Sequence, residues 1–318
     1  MNHERLGIFE EVREFPDATA ARRFAELVGL DLIKARLLKE SRLLLDPESL
    51  SGWSQKYHHH KIKIADFFHD RPPLFIFAGD VGTGKTALAE TFGDAIAREA
   101  KISVTLYAMS LNARGTGAVG EMTSLISAAF SEVRDVAKKV ASRGGKHRSG
   151  VILLIDEADA LAQSRELTQM HHEDRAGVNA LIRGVDDLAT GALPAIVVMC
   201  TNRLDAIDPA VRRRAATTFS FNRPGEEQRH AILSPVLEEV GFTKQQIREV
   251  VEMTGSTKDR EYGYTYSDIT QRILPGMLLA AYPARPITFD LTKEVLENHP
   301  PTPPFKENPN GNERKCHA

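Results

Sequence analysis

The stretch that decides the fold is residues 79–86, which read Gly79-Asp80-Val81-Gly82-Thr83-Gly84-Lys85-Thr86. It fits the pattern G-x-x-x-x-G-K-[ST], whose glycines let backbone N–H groups turn inward around an anion. The apolar run at 73–78 predicts a buried strand, and the run at 87–96 predicts a helix. This order of strand, loop and helix is the setting of a phosphate-binding loop, because the helix directs its positive end at the phosphates.

Two side chains of this loop are expected to carry chemistry. We expect Lys85 to reach the β- and γ-phosphates of a nucleoside triphosphate, and Thr86 to ligate Mg²⁺. The backbone of the preceding loop residues should also contact the nucleotide; these are Asp80, Val81, Gly82, Thr83 and Gly84. The alternative, a chance glycine-rich turn, is disfavoured by the strand and the helix that flank the loop.

Composition places the chain among globular proteins. The 318 residues are 42% hydrophobic and 26% charged, which suits one large domain with a smaller one. The net charge of −2 gives no argument for nucleic acid or an anionic membrane as partner. No apolar stretch approaches the roughly 20 residues of a membrane helix, and two cysteines predict no disulfide framework. We therefore predict a cytoplasmic protein without a membrane or nucleic-acid partner.

Strand patterns alternate with helical patterns up to residue 221 and stop there. The predicted strands are 73–78, 102–107, 151–155, 195–200 and 217–221. This alternation predicts an α/β fold with a parallel five-stranded sheet between helices. The predicted domains are a helical leader (1–24), a large α/β domain (25–222), a small all-α domain (223–298), and a Pro-rich, polar tail that is disordered or extended (299–318). A capping box, Thr243 with Gln246, opens one of the later helices.

Acidic residues follow the third predicted strand, which ends in Ile155-Asp156-Glu157-Ala158-Asp159. Together with the phosphate loop, this pattern indicates that Asp156 holds Mg²⁺ and that Glu157 polarises the attacking water as a general base. A helix N-cap after a buried strand is the alternative. We expect Asp159 to be a cap or a supporting group rather than a metal ligand.

Polar and basic residues follow the fourth predicted strand. Asn202 can orient the attacking water from a strand end, or it can form a plain Asx-turn. Further on, Asp208 precedes the run Arg212-Arg213-Arg214. These arginines are either surface charge or a finger that enters the nucleotide site of a neighbouring subunit.

The whole set of motifs resembles that of AAA+ ATPases. The resemblance covers about residues 24–298 and includes the segment 28–37, in which Gly29 corresponds to a position near adenine. It implies a P-loop AAA+ large domain with a small helical lid, ATP and Mg²⁺ as ligands, and a hexamer. It also implies catalytic roles for Glu157, Asn202 and either Arg213 or Arg214.

Two segments narrow the resemblance. Residues 207–215 resemble the arginine-finger segment of the pachytene-checkpoint ATPases, which remodel HORMA-domain proteins, with Arg214 at the finger position. Residues 266–275 resemble their lid helix. The chain length is similar to that of bacterial members, which occur beside HORMA proteins and nucleotidyltransferases in CBASS anti-phage operons. The resemblance implies a protein remodeller with a HORMA-domain client, and a nucleotidyltransferase bound to that client is a further candidate partner.

The chain departs from the family pattern in two places. The aromatic position of the first pore loop is Ala118, so either Val119 grips the client or threading is unconventional. The position of the sensor-2 arginine is Ile269, and Arg272, one helical turn on, is a candidate substitute for contact with the nucleotide. The second pore loop corresponds to 169–174.

A second class of function shares every ATPase motif. The alternative is a nucleotide-gated loader or switch that acts on DNA or on DNA-bound proteins, and the altered pore loop favours it. The near-zero net charge counts against it. The histidines at 58–60 and 171–172 point in different directions on a regular element, so we predict no metal other than Mg²⁺.

Overall fold

The computed structural model describes residues 5–111, 120–142, 149–160, 171–191, 193–258 and 260–304. Within them the chain forms two compact units, one of residues 5–79 and 84–221 and the other of residues 80–83 and 222–304. The first unit contains a β-sheet, and the second is helical. The tip of the phosphate loop, residues 80–83, therefore groups with the helical unit, which the sequence did not predict.

Six strands form the sheet of the first unit. They are β1 (Glu11–Phe15), β2 (Leu74–Gly79), β3 (Ser103–Ser110), β4 (Ser149–Asp156), β5 (Ala195–Thr201) and β6 (Ala215–Phe221). Their order across the sheet is β1-β3-β4-β5-β2-β6. Strands β2 to β6 pair in parallel, which confirms the predicted five-stranded parallel arrangement. The sixth strand, β1, runs antiparallel to β3 at the edge.

The expectation of a helical leader over residues 1–24 is wrong at β1. Phe15 is buried in the core beneath the sheet, while Val12 and Glu14 point to solvent. This period of two is that of a strand with one protected face. The local signal is weak because the strand has five residues, three of them charged. Pairing with the exposed edge of β3 supplies the backbone hydrogen bonds that stabilise it.

Both faces of the sheet are covered. Leu74 and Ile76 of β2 lie in one hydrophobic cluster, and Phe75 and Phe77 lie in the cluster on the opposite face. All four side chains are fully buried. Successive side chains of a strand point to opposite faces, so a continuous apolar run fits a parallel strand with helices on both sides.

Ten helices of the first unit lie within the described residues. They are α1 (Arg5–Ile8), α2 (Ala18–Glu26), α3 (Asp31–Leu45), α4 (Pro47–His58), α5 (Lys63–His69), α6 (Lys85–Ala89), α7 (Phe92–Ala100), α8 (Glu121–Ser142), α9 (His171–Thr190) and α10 (Pro209–Arg212). The single helix predicted at 87–96 is divided into α6 and α7. At the break, the Thr91 hydroxyl donates to the Ala87 carbonyl at 2.6 Å, a local hydrogen bond that competes with helix continuation.

The second unit is helical, as predicted. Its elements are α11 (Glu226–Glu239), α12 (Lys244–Met253), a π-helical segment (Asp268–Ile273) that leads directly into α13 (Leu274–Ala281), and α14 (Phe289–Asn298). The capping box at the start of α12 is confirmed, because the Thr243 hydroxyl accepts from the Gln246 N–H and the Gln246 side chain accepts from the Thr243 N–H. Leu237, Val250 and Ile269 are buried in its core.

The first residues of the predicted tail are extended and held in the second unit. The Thr302 N–H donates to Asp268 Oδ2 at 3.1 Å, and the Thr302 hydroxyl donates to Asp268 Oδ1 at 2.6 Å. Nowhere in the part of the chain that the structure describes is a helix long and apolar enough to cross a membrane.

Candidate active site

The phosphate loop begins where β2 ends, beside β6. A Cβ atom built on Gly79 would lie 2.0 Å from the Phe221 carbonyl oxygen, so only glycine fits between these strands. At the far end of the loop, Gly84 has a φ of 93° and directly precedes α6. Lys85 is buried, and its Nζ donates to the Gly79 carbonyl at 2.9 Å. This hydrogen bond joins the end of the loop to its beginning.

The tip of the loop belongs to the second unit and is held by its own polar groups. The Thr83 hydroxyl donates to the Asp80 carbonyl at 2.7 Å, and the Val81 N–H donates to Asp80 Oδ1 at 2.9 Å. Gly82 has a φ of 74°, in the left-handed region that favours glycine. The tip is therefore a compact turn, as the glycine spacing of the motif requires.

Gly29 lies in a turn that contacts the first-unit end of the phosphate loop. Its φ is 77°, and it separates α2 from α3. The neighbouring Leu27 and Leu30 pack toward Gly84, where a built Cβ would lie 3.5 Å from Leu30 Cδ1 and 3.9 Å from Leu27 Cδ2. The structure thus brings the predicted adenine-side segment against the loop.

The sheet order brings the other predicted catalytic residues to the same edge. Strand β5 lies between β2 and β4, so Gly79, Asp156 and Thr201 all end parallel neighbouring strands. In parallel α/β sheets, ligands bind outside the carboxyl ends of the strands. The sequence-predicted residues Lys85, Asp156 and Asn202 each follow or end one of these strands.

Glu157 adopts an unusual backbone conformation directly after β4. Its φ is 54°, which is uncommon for a residue other than glycine and costs of order 1–3 kcal/mol. Its N–H donates to Asp156 Oδ1 at 2.7 Å. The Ser110 hydroxyl donates to Glu157 Oε2 at 2.8 Å, which fixes the carboxylate from the neighbouring strand.

Ser110 is the functional candidate that sequence reasoning missed. It is the last residue of β3 and lies in register with Asp156 of β4. The predicted strand stopped at residue 107, so its true end remained hidden. The sequence signal for Ser110 was a polar residue at the end of an apolar strand pattern that continues past residue 107. Parallel strands end at the same edge of a sheet, so such a residue lies beside the end of the next strand.

Asp159 supports the end of β5. Its Oδ1 accepts from the Thr201 hydroxyl at 3.3 Å and from the Asn202 N–H at 3.4 Å. The Thr201 hydroxyl oxygen in turn accepts from the Arg203 N–H at 3.0 Å. Asp159 is buried, so these contacts fix the backbone that carries the Asn202 side chain. These contacts are those of the predicted supporting group.

The segment 208–214, which contains the arginine run, is anchored at both ends. Asp208 caps α10 by accepting the Ala210 N–H at 2.6 Å. Arg214 Nε donates to Asp186 Oδ1 of α9 at 2.8 Å, and this hydrogen bond raises the pKa of Arg214 above its usual value. The Arg213 side chain is exposed. Arg213 and Arg214, the two candidates for the finger, are thus placed differently.

Arg272 lies in the π-helical segment of the second unit. It donates to Asp268 Oδ1 at 2.8 Å and to the Thr302 hydroxyl at 3.2 Å. Ile269, at the position expected for the sensor-2 arginine, is fully buried in the hydrophobic core of this unit. A charged side chain at 269 would be buried there, which gives the physical reason for isoleucine.

The predicted pore loops fall outside what the structure describes. Ala118 and Val119 lie in the gap at 112–119, and the second pore loop begins in the gap at 161–170. Of the second loop, the structure gives the backbone from His171, where α9 starts. Both assignments therefore stay predictions.

The fold and the edge just described define a P-loop nucleoside triphosphatase. The family model described as "ATPase family associated with various cellular activities (AAA)" matches residues 75–223. CD-NTase-associated protein 6 of Escherichia coli (strain MS 115-1) is 51% identical over 298 residues, which cover 94% of this chain and 96% of that protein. The chain therefore belongs to the AAA ATPases and, within them, to the family of CD-NTase-associated protein 6.

Two solved structures are similar over almost the whole chain. One is a chain of the E. coli MS115-1 HORMA:CdnC:Trip13 complex, with a TM-score of 0.86, 51% identity, and coverage of 94% of this chain and 97% of that chain. The other is Rhizobiales Trip13, with a TM-score of 0.72, 43% identity, and coverage of 93% and 100%. The resemblance to the pachytene-checkpoint clade of AAA+ ATPases is thereby confirmed.

Proposed function

We propose that this chain is an ATP-hydrolysing remodeller that works as a hexamer on a HORMA-domain protein in bacterial anti-phage signalling. The observation that carries the proposal is the 51% identity, over 94% of this chain, to a chain solved within a HORMA:CdnC:Trip13 complex. A nucleotidyltransferase is the second candidate partner, since CdnC is present in that complex and the curated relative is named for a CD-NTase.

The residues of the site suit ATP with Mg²⁺. A Cβ atom at Gly79 or Gly82 would lie within 3.0 Å of neighbouring atoms, so the glycines keep the loop backbone accessible and tightly curved. Lys85 supplies a buried cation to the β- and γ-phosphates. Thr86 and Asp156 offer the hard oxygen donors that Mg²⁺ prefers. Bound Mg²⁺ would neutralise charge that develops on the phosphates.

Hydrolysis requires a water placed in line with the γ-phosphate. We assign its polarisation to Glu157, whose carboxylate is held by Ser110 and whose backbone is held by Asp156. Asn202 orients the same water from the end of β5, on the backbone that Asp159 fixes. Arg214 of a neighbouring subunit stabilises the charge of the transition state. Residues 28–30, with Gly29, contact the base, and Arg272 is the lid residue proposed to sense the nucleotide.

The test traps the ATP state with Glu157→Gln, which should bind ATP and not hydrolyse it. The tagged variant is mixed with the purified HORMA-domain protein of the same host, with ATP or with ADP, and complexes are separated by size exclusion. Lys85→Ala is the matched control, because it should fail to bind either nucleotide. We expect the HORMA-domain protein to co-elute with Glu157→Gln when ATP is present and not when ADP is present.

Two results would refute parts of this proposal. If the HORMA-domain protein does not co-elute in any nucleotide state, the client assignment is wrong. If Glu157→Gln in ATP retains DNA from a lysate, with an affinity that falls steeply with salt, the chain belongs to the loader class instead.

A further inference from the structure

An arginine of the helical unit grips the tip of the phosphate loop. Arg223 donates from Nε and from Nη2 to the same oxygen of Asp80, at 2.8 Å and 2.5 Å. The two side chains are 13% and 18% exposed, so the pair is largely shielded from water. Both residues belong to the second unit. The loop motif permits any residue at position 80, so the motif itself does not require this carboxylate.

The guanidinium of Arg223 is fixed on its other sides as well. Nη1 donates to the Gly263 carbonyl at 2.6 Å, and the guanidinium carbon lies 5.0 Å from the centre of the Tyr262 ring. An arginine has a planar fork of donors, and stacking on an aromatic face holds that plane in place. Residues 262–263 therefore fix the position of the Arg223 guanidinium, and the guanidinium in turn fixes the position of the Asp80 carboxylate.

A second contact holds the loop tip on the same segment. The Ser267 N–H donates to the Gly82 carbonyl at 3.1 Å. A Cβ atom on Gly82 would lie 2.7 Å from Thr265 Oγ1 and 2.9 Å from Ser267 Cβ, so the tip approaches this segment closely. Residues 80–83 are thus seated by one ion pair and one close backbone contact. The seated tip is covalently continuous with Lys85 through Gly84 alone.

The charge of Asp80 makes this arrangement functional. A carboxylate inside an anion-binding loop repels a polyphosphate, and this repulsion is stronger where the carboxylate is shielded from water. A shielded guanidinium in contact with that carboxylate cancels most of the repulsion. The same contact fixes the loop in one curvature.

We propose that Arg223 is a positioning residue for nucleotide binding: it neutralises Asp80 and fixes the tip of the phosphate loop, so that the loop accepts a polyphosphate without a like charge opposing it. This inference rests on the proposed ATPase function. It assigns to Arg223 a contact with the loop tip, residues 80–83 of the same unit, that is independent of the lid position at Ile269 and Arg272.

The test measures the Kd of a fluorescent ATP analogue for the full-length protein and four variants. The variants are Arg223→Ala, Asp80→Asn, the double variant, and Arg285→Ala, which removes an exposed ion pair of the same unit and serves as the control. We expect Arg223→Ala to raise the Kd at least about tenfold, with a smaller penalty at high salt. Asp80→Asn should change the Kd less, and the double variant should return close to the Asp80→Asn value.

The recovery in the double variant separates the inference from a simple loss of folding. If Arg223→Ala only disrupted the second unit, removing the Asp80 charge would not restore binding, and the inference would be overturned. It would also be overturned if Arg223→Ala bound ATP as well as the parent protein. Arg223→Gln keeps hydrogen-bond donors and loses the charge, so it is a milder variant. When it replaces Arg223→Ala, the Kd values of the variants should fall in the same order. A parent protein that binds no ATP would instead refute the proposed function.

Discussion

Replacing Arg214 with alanine provides the sharpest test of the trans-acting arginine. If Arg214 reaches the nucleotide of the next subunit, Arg214→Ala should lower kcat by roughly 10³–10⁵ and leave the Kd for ATP within about a few-fold. Arg213→Ala is the matched control, since Arg213 is adjacent and exposed. It should lower kcat far less.

The structure bounds how much of this effect a loss of stability could explain. Arg214 and Asp186 are 34% and 43% exposed, so their ion pair contributes at most about 1 kcal/mol. A rate loss of 10³–10⁵ corresponds to about 4–7 kcal/mol of transition-state stabilisation. The expected catalytic effect therefore exceeds any effect that the ion pair could have on folding.

Mixing inactive subunits shows whether the arginine acts in trans. Arg214→Ala retains an intact nucleotide site, and Lys85→Ala retains an intact arginine. In an equal random mixture, about a quarter of the interfaces combine both, so roughly a quarter of the parent ATPase rate should return. Two inactive proteins that stay inactive when mixed, or an Arg213→Ala variant as impaired as Arg214→Ala, would refute the assignment.

Three further predictions follow from single contacts. Ser110→Ala should lower kcat by about tenfold with little change in KM, because the Glu157 carboxylate loses a charge-assisted hydrogen bond of ~1.5–3 kcal/mol; steady-state kinetics that show the reverse pattern would contradict this. Gly184→Ala should lower the free energy of unfolding by about 1–3 kcal/mol, since its Cβ would lie 2.2 Å from an aromatic ring, whereas Gly52→Ala, with open space in a helix, should raise it by about 0.5–1 kcal/mol; equal urea midpoints would be the contrary outcome. Burial alone would raise the pKa of Asp268, but its hydrogen bonds lower that pKa. The ionised carboxylate therefore stabilises the fold at pH values above the pKa of Asp268 in the unfolded chain, and this stabilisation is lost as pH falls through the pKa in the folded protein. The loss of stability caused by Asp268→Asn should shrink below about pH 4 in acid titrations, and a loss that does not depend on pH would disprove the role.

Several features of the site were predictable because they are local in sequence. The phosphate loop, the Asp156-Glu157 pair and Asn202 each lie at the end of an apolar strand. The motif and the strand can therefore be recognised together from a few neighbouring residues. The parallel sheet then brings these strand ends to one edge. Strand β1 escaped prediction because its partner is a distant strand and its own pattern is short.

The amino-acid sequence by itself determined the class of ATPase, the five parallel strands and the candidate residues of the nucleotide site, because each depends on short-range periodicity and spacing. Tertiary structure alone decided which side chains hold those residues in place. Three such hydrogen bonds join side chains that are 47, 28 and 143 residues apart in sequence: Ser110 with Glu157, Asp186 with Arg214, and Asp80 with Arg223. Such pairs form only after the chain has folded, because packing and strand register, rather than local pattern, bring their atoms within hydrogen-bond distance.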